Sequence, residues 1–369
     1  MPKKIYSIGK TPFIIAQLNN FLVEELSVWY SLNKRDLPWR TTSDPYHIWL
    51  SEIILQQTRV NQGLNYYFNF ISTFPKVSDL ANAPEDQVLR LWQGLGYYNR
   101  ARNLQISAKF VHEELNNVFP DNYNDLLKLK GVGDYTASAI ASFAFNEKVA
   151  VLDGNVFRVL ARFFGVHEDI ALSSSRKVFK DILDKILPAT GKSCHIFNQA
   201  IMEFGAMLCS PKKPKCEFCP LREACFAYEN KEQQLLPIKI KKLKVRVRHI
   251  YYLIVRNHKG EILMQKRDAS DVWAGLYDFP LVENDKGLDE MEICQSILGK
   301  YEISVDKVKI LHSAKKHQLS HQSIFAHFIE LSKDELPLKN NELKSFDMDE
   351  VNELPKPIHI NKFLKEFYF

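Results

Sequence analysis

LKLKGVGDYT, residues 127–136, sets two glycines one residue apart between two stretches of helical spacing. Gly131 and Gly133 predict a tight turn that leads into a new helix near Asp134. Successive backbone N–H groups at such a turn, beside a helix N-terminus, form a nest for an anion. Taken alone, G-V-G is a weak signal that reads first as a plain interhelical turn, so its meaning depends on what lies to either side.

Twenty residues past Gly133 comes VLDGNV, residues 151–156, where an acid follows an apolar run and precedes a helical one. Taken alone, Asp153 reads as an N-cap. Further on, CSPKKPKCEFCPLREAC (209–225) gathers Cys209, Cys216, Cys219 and Cys225, with Pro211, Pro214 and Pro220 forcing tight loops between them. Cys194 and Cys294, the other two of the six cysteines, are isolated, which does not fit the disulfide framework of a small secreted protein. Four convergent thiolates point to a metal, and tetrahedral sulfur geometry alone leaves zinc and an iron–sulfur cube both open. The usual zinc pattern pairs two CxxC units, and here only Cys216 and Cys219 form one. A deaminase centre is disfavoured because no H-x-E precedes the P-C-x-x-C pattern.

Toward the N-terminus, WLSEIILQQT (49–58) carries Glu52 on an otherwise apolar helical face. By itself this acid reads as a surface residue paired with a neighbouring base. Helical spacing runs from about Thr11 to Cys225, as in Ile14, Leu18, Phe21, Leu22, Leu26 and Trp29, with start signals at Thr11-Pro12, Asp44-Pro45, Pro84-Glu85-Asp86 and Ser173. The whole chain has 369 residues, 46% of them hydrophobic, enough for two cores. Its net charge of +5 is compatible with a polyanionic partner but decides nothing. The opening MPKKIYSIGKTPF has no apolar signal run, and no segment offers the apolar length of a membrane helix, so a cytoplasmic, nucleoid-associated protein without a membrane partner is expected.

Hairpin, acid and four-cysteine loop, in that order, resemble the helix-hairpin-helix glycosylases of the endonuclease III superfamily. The blocks LPWR (37–40), SEIILQQT (51–58), QGLGYYNRARNL (93–104) and FNQA (197–200) are similar to those of the MutY-type adenine DNA glycosylases. That resemblance implies a [4Fe-4S] cluster on Cys209, Cys216, Cys219 and Cys225, and contact of Gly131, Val132 and Gly133 with the DNA backbone. It implies that Glu52 protonates adenine at N7 and later assists water, that Asp153 stabilises the cationic sugar, and that Tyr135 and Asn155 complete the catalytic set. Relatives with lyase activity carry a lysine where Tyr135 stands, so the chain resembles a monofunctional glycosylase. Leu37, Trp39, Arg40 and Gln199 are implied around the flipped adenine, Gln57 and Thr58 at the lesion pair, Leu95 beneath it, and Tyr97 as a wedge in the stack. For Leu37, Trp39 and Leu95, core packing is the competing reading. Lys212, Lys213 and Lys215 in the cysteine loop read either as a basic finger for phosphates or as a solvated loop.

Beyond a basic stretch, KEQQLLPIKIKKLKVRVR, the runs HIYYLIVR and EILMQKR flank Asn257-His258-Lys259-Gly260, which predicts a hairpin, and a helix is expected around Glu290 to Leu298. VWAGLYDFP (272–280) looks like the opening of a Nudix-type domain, but the R-E-x-x-E-E acids of the hydrolases are missing. In the resembled family this domain reads 8-oxoguanine through a Phe-Ser-His loop; Ser320 and His321 match it, and Leu319 replaces the aromatic. The expected fold class is therefore multidomain: an all-α helix-hairpin-helix glycosylase domain (1–229), a linker (230–247) and a C-terminal α/β Nudix-like domain (248–369). The expected partner is duplex DNA containing adenine opposite 8-oxoguanine or guanine, bound by a monomer. Another base specificity on the same scaffold, or a non-enzymatic zinc-dependent DNA-binding protein, are the alternatives.

Overall fold

The computed structural model describes residues 12–191, 193–240, 245–301, 309–319, 322–331 and 343–368. Its contacts divide the chain into two units, one of residues 1–59 and 110–241, the other of residues 60–109 and 242–369. No helix among the described residues is long and apolar enough to cross a membrane.

The first unit is helical: α1 (Pro12–Asn33), α2 (Pro45–Leu55), α7 (Tyr123–Leu126), α8 (Asp134–Phe145), α9 (Gly154–Phe164), α10 (Ser173–Ile186), α11 (Cys194–Met207) and α12 (Phe226–Glu229). Its start signals work as their chemistry requires. Asp44 caps α2 by accepting from the Tyr46 N–H at 2.8 Å, and Pro45 opens the helix. The glycine turn forms between α7 and α8, with Gly131 at φ +80° and Gly133 as the N-cap of α8. Helix α9 is buried almost all round, its polar Arg158 and Arg162 included, and packs against α11, which packs in turn on α1. Phe157 meets Phe179 edge-on at 4.8 Å and Trp29 meets Phe204 at 5.1 Å, fixing the centre of this core.

In the second unit, α3 (Val60–Thr73), α4 (Val77–Asn82), α5 (Glu85–Leu91) and the first part of α6 (Asn99–Glu113) join two sheets. The strands are β1 (Arg246–Ile254), β2 (Ile262–Lys266), β3 (Tyr277–Asp278), β4 (Leu281–Asn284), β5 (Lys309–Gln318), β6 (Gln322–Glu330) and β7 (Leu343–Phe346), with helices α13 (Glu290–Tyr301), α14 (Met348–Glu353) and α15 (Ile358–Phe367). One sheet has the order β4-β1-β6-β5, with β1 and β6 parallel, and the other is β3-β2-β7. The hairpin expected at 257–260 is therefore only partial. Asn257 and Glu261 close the turn, and a single bridge pairs Arg256 with Ile262, but β1 and β2 then part into different sheets. Both edges of β1 are taken by β4 and β6, which leaves β2 to pair with β3 and β7. Asp86 at the start of α5 binds Lys266 at 2.8 Å and the Tyr277 hydroxyl at 3.3 Å, and Arg102 of α6 donates to the Ala274 carbonyl, so α5 and α6 meet the β3-β2-β7 sheet and its connecting loop.

Helix α9 ends at Gly165 with φ +68°, and a Cβ there would lie 2.6 Å from the Phe226 ring. Gly165→Ala should destabilise the protein by roughly 2–3 kcal/mol, from left-handed strain plus overpacking, read as a lowered thermal midpoint.

Candidate active site

Three helices of the first unit bring the site together. Glu52 lies near the end of α2, 7% exposed, on the face that buries Ile48, Trp49 and Ile53. The hydroxyl of Tyr135, in the first turn of α8, donates to Glu52 Oε2 at 2.6 Å. Burial raises the Glu52 pKa from its ordinary 4.5 to about 7; the Tyr135 bond opposes this, the nearby Asp153 adds to it, and Arg40 opposes it. Burial likewise drives the Tyr135 pKa well above 10.0, helped by both carboxyls, so this phenol stays a donor.

Asp153 is the N-cap of α9, and its carboxyl is shaped by that position. Oδ1 accepts from the N–H groups of Asn155 (2.9 Å) and Val156 (2.7 Å), and Oδ2 from the Asn155 side chain (2.7 Å). Burial is the largest influence and keeps its pKa raised, although these bonds and the Arg158 charge oppose the shift. The capping role and a place beside Glu52 are thus one arrangement: three donors stabilise the anion of Asp153, and a single phenol meets Glu52.

Arg40 faces Glu203, a residue that the reading of the sequence passed over. Glu203 is 1% exposed and accepts from Arg35 (2.6 and 2.8 Å) and from Arg40 (2.7 and 2.9 Å). Burial alone would raise its carboxyl, but the two guanidiniums hold it at about 2. Gln199 accepts from the Tyr30 hydroxyl at 2.6 Å, and the Arg40 guanidinium lies 5.6 Å from the Tyr30 ring. Leu37 and Trp39 are 6% and 8% exposed around the short turn Pro38–Arg40. The Gln56 side chain donates to Thr136 at 3.2 Å, tying α2 to α8; Gln57 follows, exposed, with φ +56°, and the Thr58 hydroxyl donates to the Gln56 carbonyl at 3.3 Å. At the glycine turn the Val132 side chain is buried, while Gly131 and Gly133 lie at the surface.

Arg158 was also passed over. It donates to Asn155 Oδ1 at 2.8 Å, to the Gly205 carbonyl at 2.6 Å and to the Cys209 carbonyl at 2.7 Å. One turn later, Arg162 donates to Cys209 Sγ at 3.3 Å and to the carbonyls of Ser210 and Pro211 at 2.8 and 2.9 Å. Two arginines four apart in an otherwise apolar helix were the signal available in the sequence. Among the described residues, no group of three or more His, Cys, Asp or Glu stands arranged as a metal site. The donor set, four cysteine sulfurs, is of the kind that suits a thiophilic metal. Burial pushes the Cys219 thiol up to about 12, with the Cys209, Cys225 and Cys216 sulfurs adding to the shift, so binding a cation there would have to displace the thiol proton.

In the second unit, Leu95 is buried and Tyr97 is 39% exposed with φ +50°, an uncommon conformation for an aromatic residue. Ser320 and His321 lie outside the described residues, and the neighbouring Leu319 N–H donates to the Gln322 carbonyl at 2.8 Å.

Residues 50–188 match the family model of the HhH-GPD superfamily base excision DNA repair protein, and residues 251–366 match that of the NUDIX domain. The adenine DNA glycosylase of Buchnera aphidicola subsp. Baizongia pistaciae is 34% identical over 348 residues, covering 91% of this chain and 93% of that protein. The human adenine DNA glycosylase is 40% identical over 232 residues, 60% of this chain and 42% of that protein. Among solved structures, a thermostable thymine-DNA glycosylase shares 32% identity with a TM-score of 0.53, over 58% of this chain and 98% of that one. A non-covalent endonuclease III–DNA complex shares the fold at 21% identity and a TM-score of 0.51, over 59% of this chain and 98% of that one. On this evidence the chain belongs to the adenine DNA glycosylase family of helix-hairpin-helix base excision repair proteins, and carries a Nudix domain in its C-terminal part.

Proposed function

We propose that this protein releases adenine mispaired with 8-oxoguanine or guanine in duplex DNA by hydrolysing the N-glycosidic bond, without cutting the backbone. The observation that carries the reading is the unequal treatment of two carboxyls in one site: Glu52 is held to about 7 by burial, and Asp153 is met by three N–H donors. Glycosidic cleavage needs that inequality, because one carboxyl must deliver a proton to the leaving base while the other faces a cationic sugar. The site must receive an extruded nucleotide, since the leaving base cannot be reached inside a stacked duplex. Glu52 protonates adenine at N7, the bond to the sugar breaks, Asp153 stabilises the oxocarbenium-like centre, and Glu52 then takes a proton from the attacking water. Tyr135 aligns the Glu52 carboxyl, and Asn155 holds Asp153 through its amide.

Arg40, braced by Glu203, lowers the proton affinity of Glu52 and so keeps it able to give its proton up near neutral pH. Leu37, Trp39 and Gln199 border the adenine, Gln57 and Thr58 meet the lesion pair, Leu95 backs it, and Tyr97 wedges into the stack. Gly131, Val132 and Gly133 bind the DNA backbone through main-chain N–H groups, while Ser320 and His321 read the lesion base. Cys209, Cys216, Cys219 and Cys225 would hold a [4Fe-4S] cluster, whose part in hydrolysis is to brace the loop that docks on DNA; no redox step enters the reaction. The similarity to a thymine-DNA glycosylase favours a second reading, a mismatch glycosylase of other base specificity on the same two carboxyls. Duplexes carrying adenine opposite 8-oxoguanine, adenine opposite guanine, and thymine opposite guanine separate the two: release confined to thymine would overturn the adenine reading.

Glu52→Gln should abolish base release, leaving duplex binding within about twofold. Glu52 binds its proton more tightly folded than unfolded, so its contribution to stability falls as pH rises from 4.5 through about 7. The Gln variant should lose that slope and gain roughly 1–3 kcal/mol at pH 8 relative to the parent, measured by denaturant titration at several pH values. Tyr135→Phe removes the bond that favours the Glu52 anion, so the alkaline limb of the rate profile should move to higher pH while the maximal rate falls about tenfold. Purified protein should carry four irons per chain with broad visible absorption; one zinc in a colourless protein would contradict the cluster.

A further inference from the structure

The loop joining α5 to α6 is fastened within the second unit at nearly every residue. Trp92 Nε1 donates to the Gly96 carbonyl at 3.1 Å, the Tyr66 hydroxyl to the Gln93 carbonyl at 2.8 Å, and the Gly94 N–H to the Tyr98 hydroxyl at 3.2 Å. A Cβ on Gly94 would lie 2.7 Å from the Tyr66 oxygen and 3.9 Å from Ile358 Cδ1, so the loop backbone sits close against α3 and α15. Arg100 reaches the carbonyls of Leu95 and Gly96 at 3.5 and 3.3 Å, and its guanidinium lies 5.8 Å from the Tyr97 ring. From this scaffold Tyr97 projects with its unusual backbone, and backbone strain held by its surroundings is a feature of working loops.

One of these fastenings comes from 263 residues away: Gln93 Oε1 accepts the backbone N–H of Lys356 at 2.9 Å. Lys356 is itself fully buried, a costly place for a lysine. Its Nζ donates to the carbonyls of Asn352 (3.1 Å), Leu354 (2.7 Å) and Val351, which closes the end of α14 into a rigid turn. That turn points the Lys356 N–H at the loop.

We propose that Gln93 is a positioning residue, through which the turn at Lys356 in the Nudix part sets the loop that presents Tyr97 to the duplex. The proposal rests on the adenine-release reading for its assay and on the wedge role proposed for Tyr97, while the link from Lys356 to the loop is argued from geometry. Presentation of the ring then depends on the C-terminal part being docked, which couples lesion reading to strand opening. A bond that served stability only would, when lost, slow every substrate alike. Loss of a positioning bond weakens only the step that unstacks the helix.

The test uses the full chain with Gln93→Leu, which deletes the acceptor, and Gln93→Glu, which keeps one. Single-turnover release is measured on adenine opposite guanine, and on the same adenine opposite an abasic spacer, where opening costs less. A 2-aminopurine beside the site reports unstacking on binding. Gln93→Leu should release adenine about five- to tenfold more slowly from the mispair, with a smaller fluorescence rise, yet stay within about twofold of the parent on the spacer duplex. Gln93→Glu should restore both signals. No loss on the mispair, or equal loss on both duplexes, overturns the proposal. If the Gln93→Leu change lowers the melting point below the assay temperature, Gln93→Asn, one methylene short of the acceptor's reach, makes the same comparison. Should the parent protein release no adenine from either duplex, the base assignment fails, and the fluorescence comparison still decides the role of Gln93.

Discussion

A carboxyl group taken out of water resists losing its proton, and the site of this protein is organised around that resistance. Helix α2 pulls Glu52 into the interior along with its apolar neighbours, and the cost of ionising it there is only partly met by one phenol. Were α2 a solvated helix, Glu52 would be an ordinary surface acid, with no proton to offer at neutral pH. The remaining parts respond to this constraint. Tyr135 and Arg40 keep the raised affinity from becoming too strong, and Asp153 is given the donors that Glu52 lacks.

The same economy of parts appears in α9. Its N-terminus supplies the cap geometry of Asp153, its next turn supplies Arg158 against Asn155 and the Cys209 carbonyl, and the turn after that supplies Arg162 against the cysteine loop. One buried helix is thus the common support for the Asp153 carboxyl and the cysteine loop, which are far apart in sequence. Its apolar faces and the cap at Gly165 hold it in place, so packing in the core becomes geometry at the site.

Features that depend on neighbours in the chain were legible beforehand. The caps at Asp44 and Asp153, the glycine turn at 131–133 and the helix near Glu290 follow from local chemistry, and the structure has them. Features that depend on distant partners were not. Glu203 meets Arg35 across 168 positions and Gln93 meets Lys356 across 263, and nothing in either local pattern announces the match. The parting of β1 and β2 escaped notice for a related reason: a turn predicts that two strands approach, but the partners available along their whole edges decide how far they pair. Residues 60–109 likewise read as one more stretch of a helical half, although their contacts place them with residues 242–369.

That last grouping bears on how the protein comes into being. Residues 109 and 242 are separated by 242 − 109 = 133 positions, so the ribosome must add about that many amino acids before the first half of the second unit meets its complement. At roughly 5–20 residues per second, the wait lasts on the order of ten seconds, long compared with the formation of helices. During it the surface around Asp86, Gln93 and Arg102 is a nascent chain without its counterpart, while residues 110–241 emerge and can condense upon residues 1–59. Completion of the second unit therefore comes last in biosynthesis, and a truncated product lacking the final hundred residues would leave α3 to α6 without the surface they are shaped to meet.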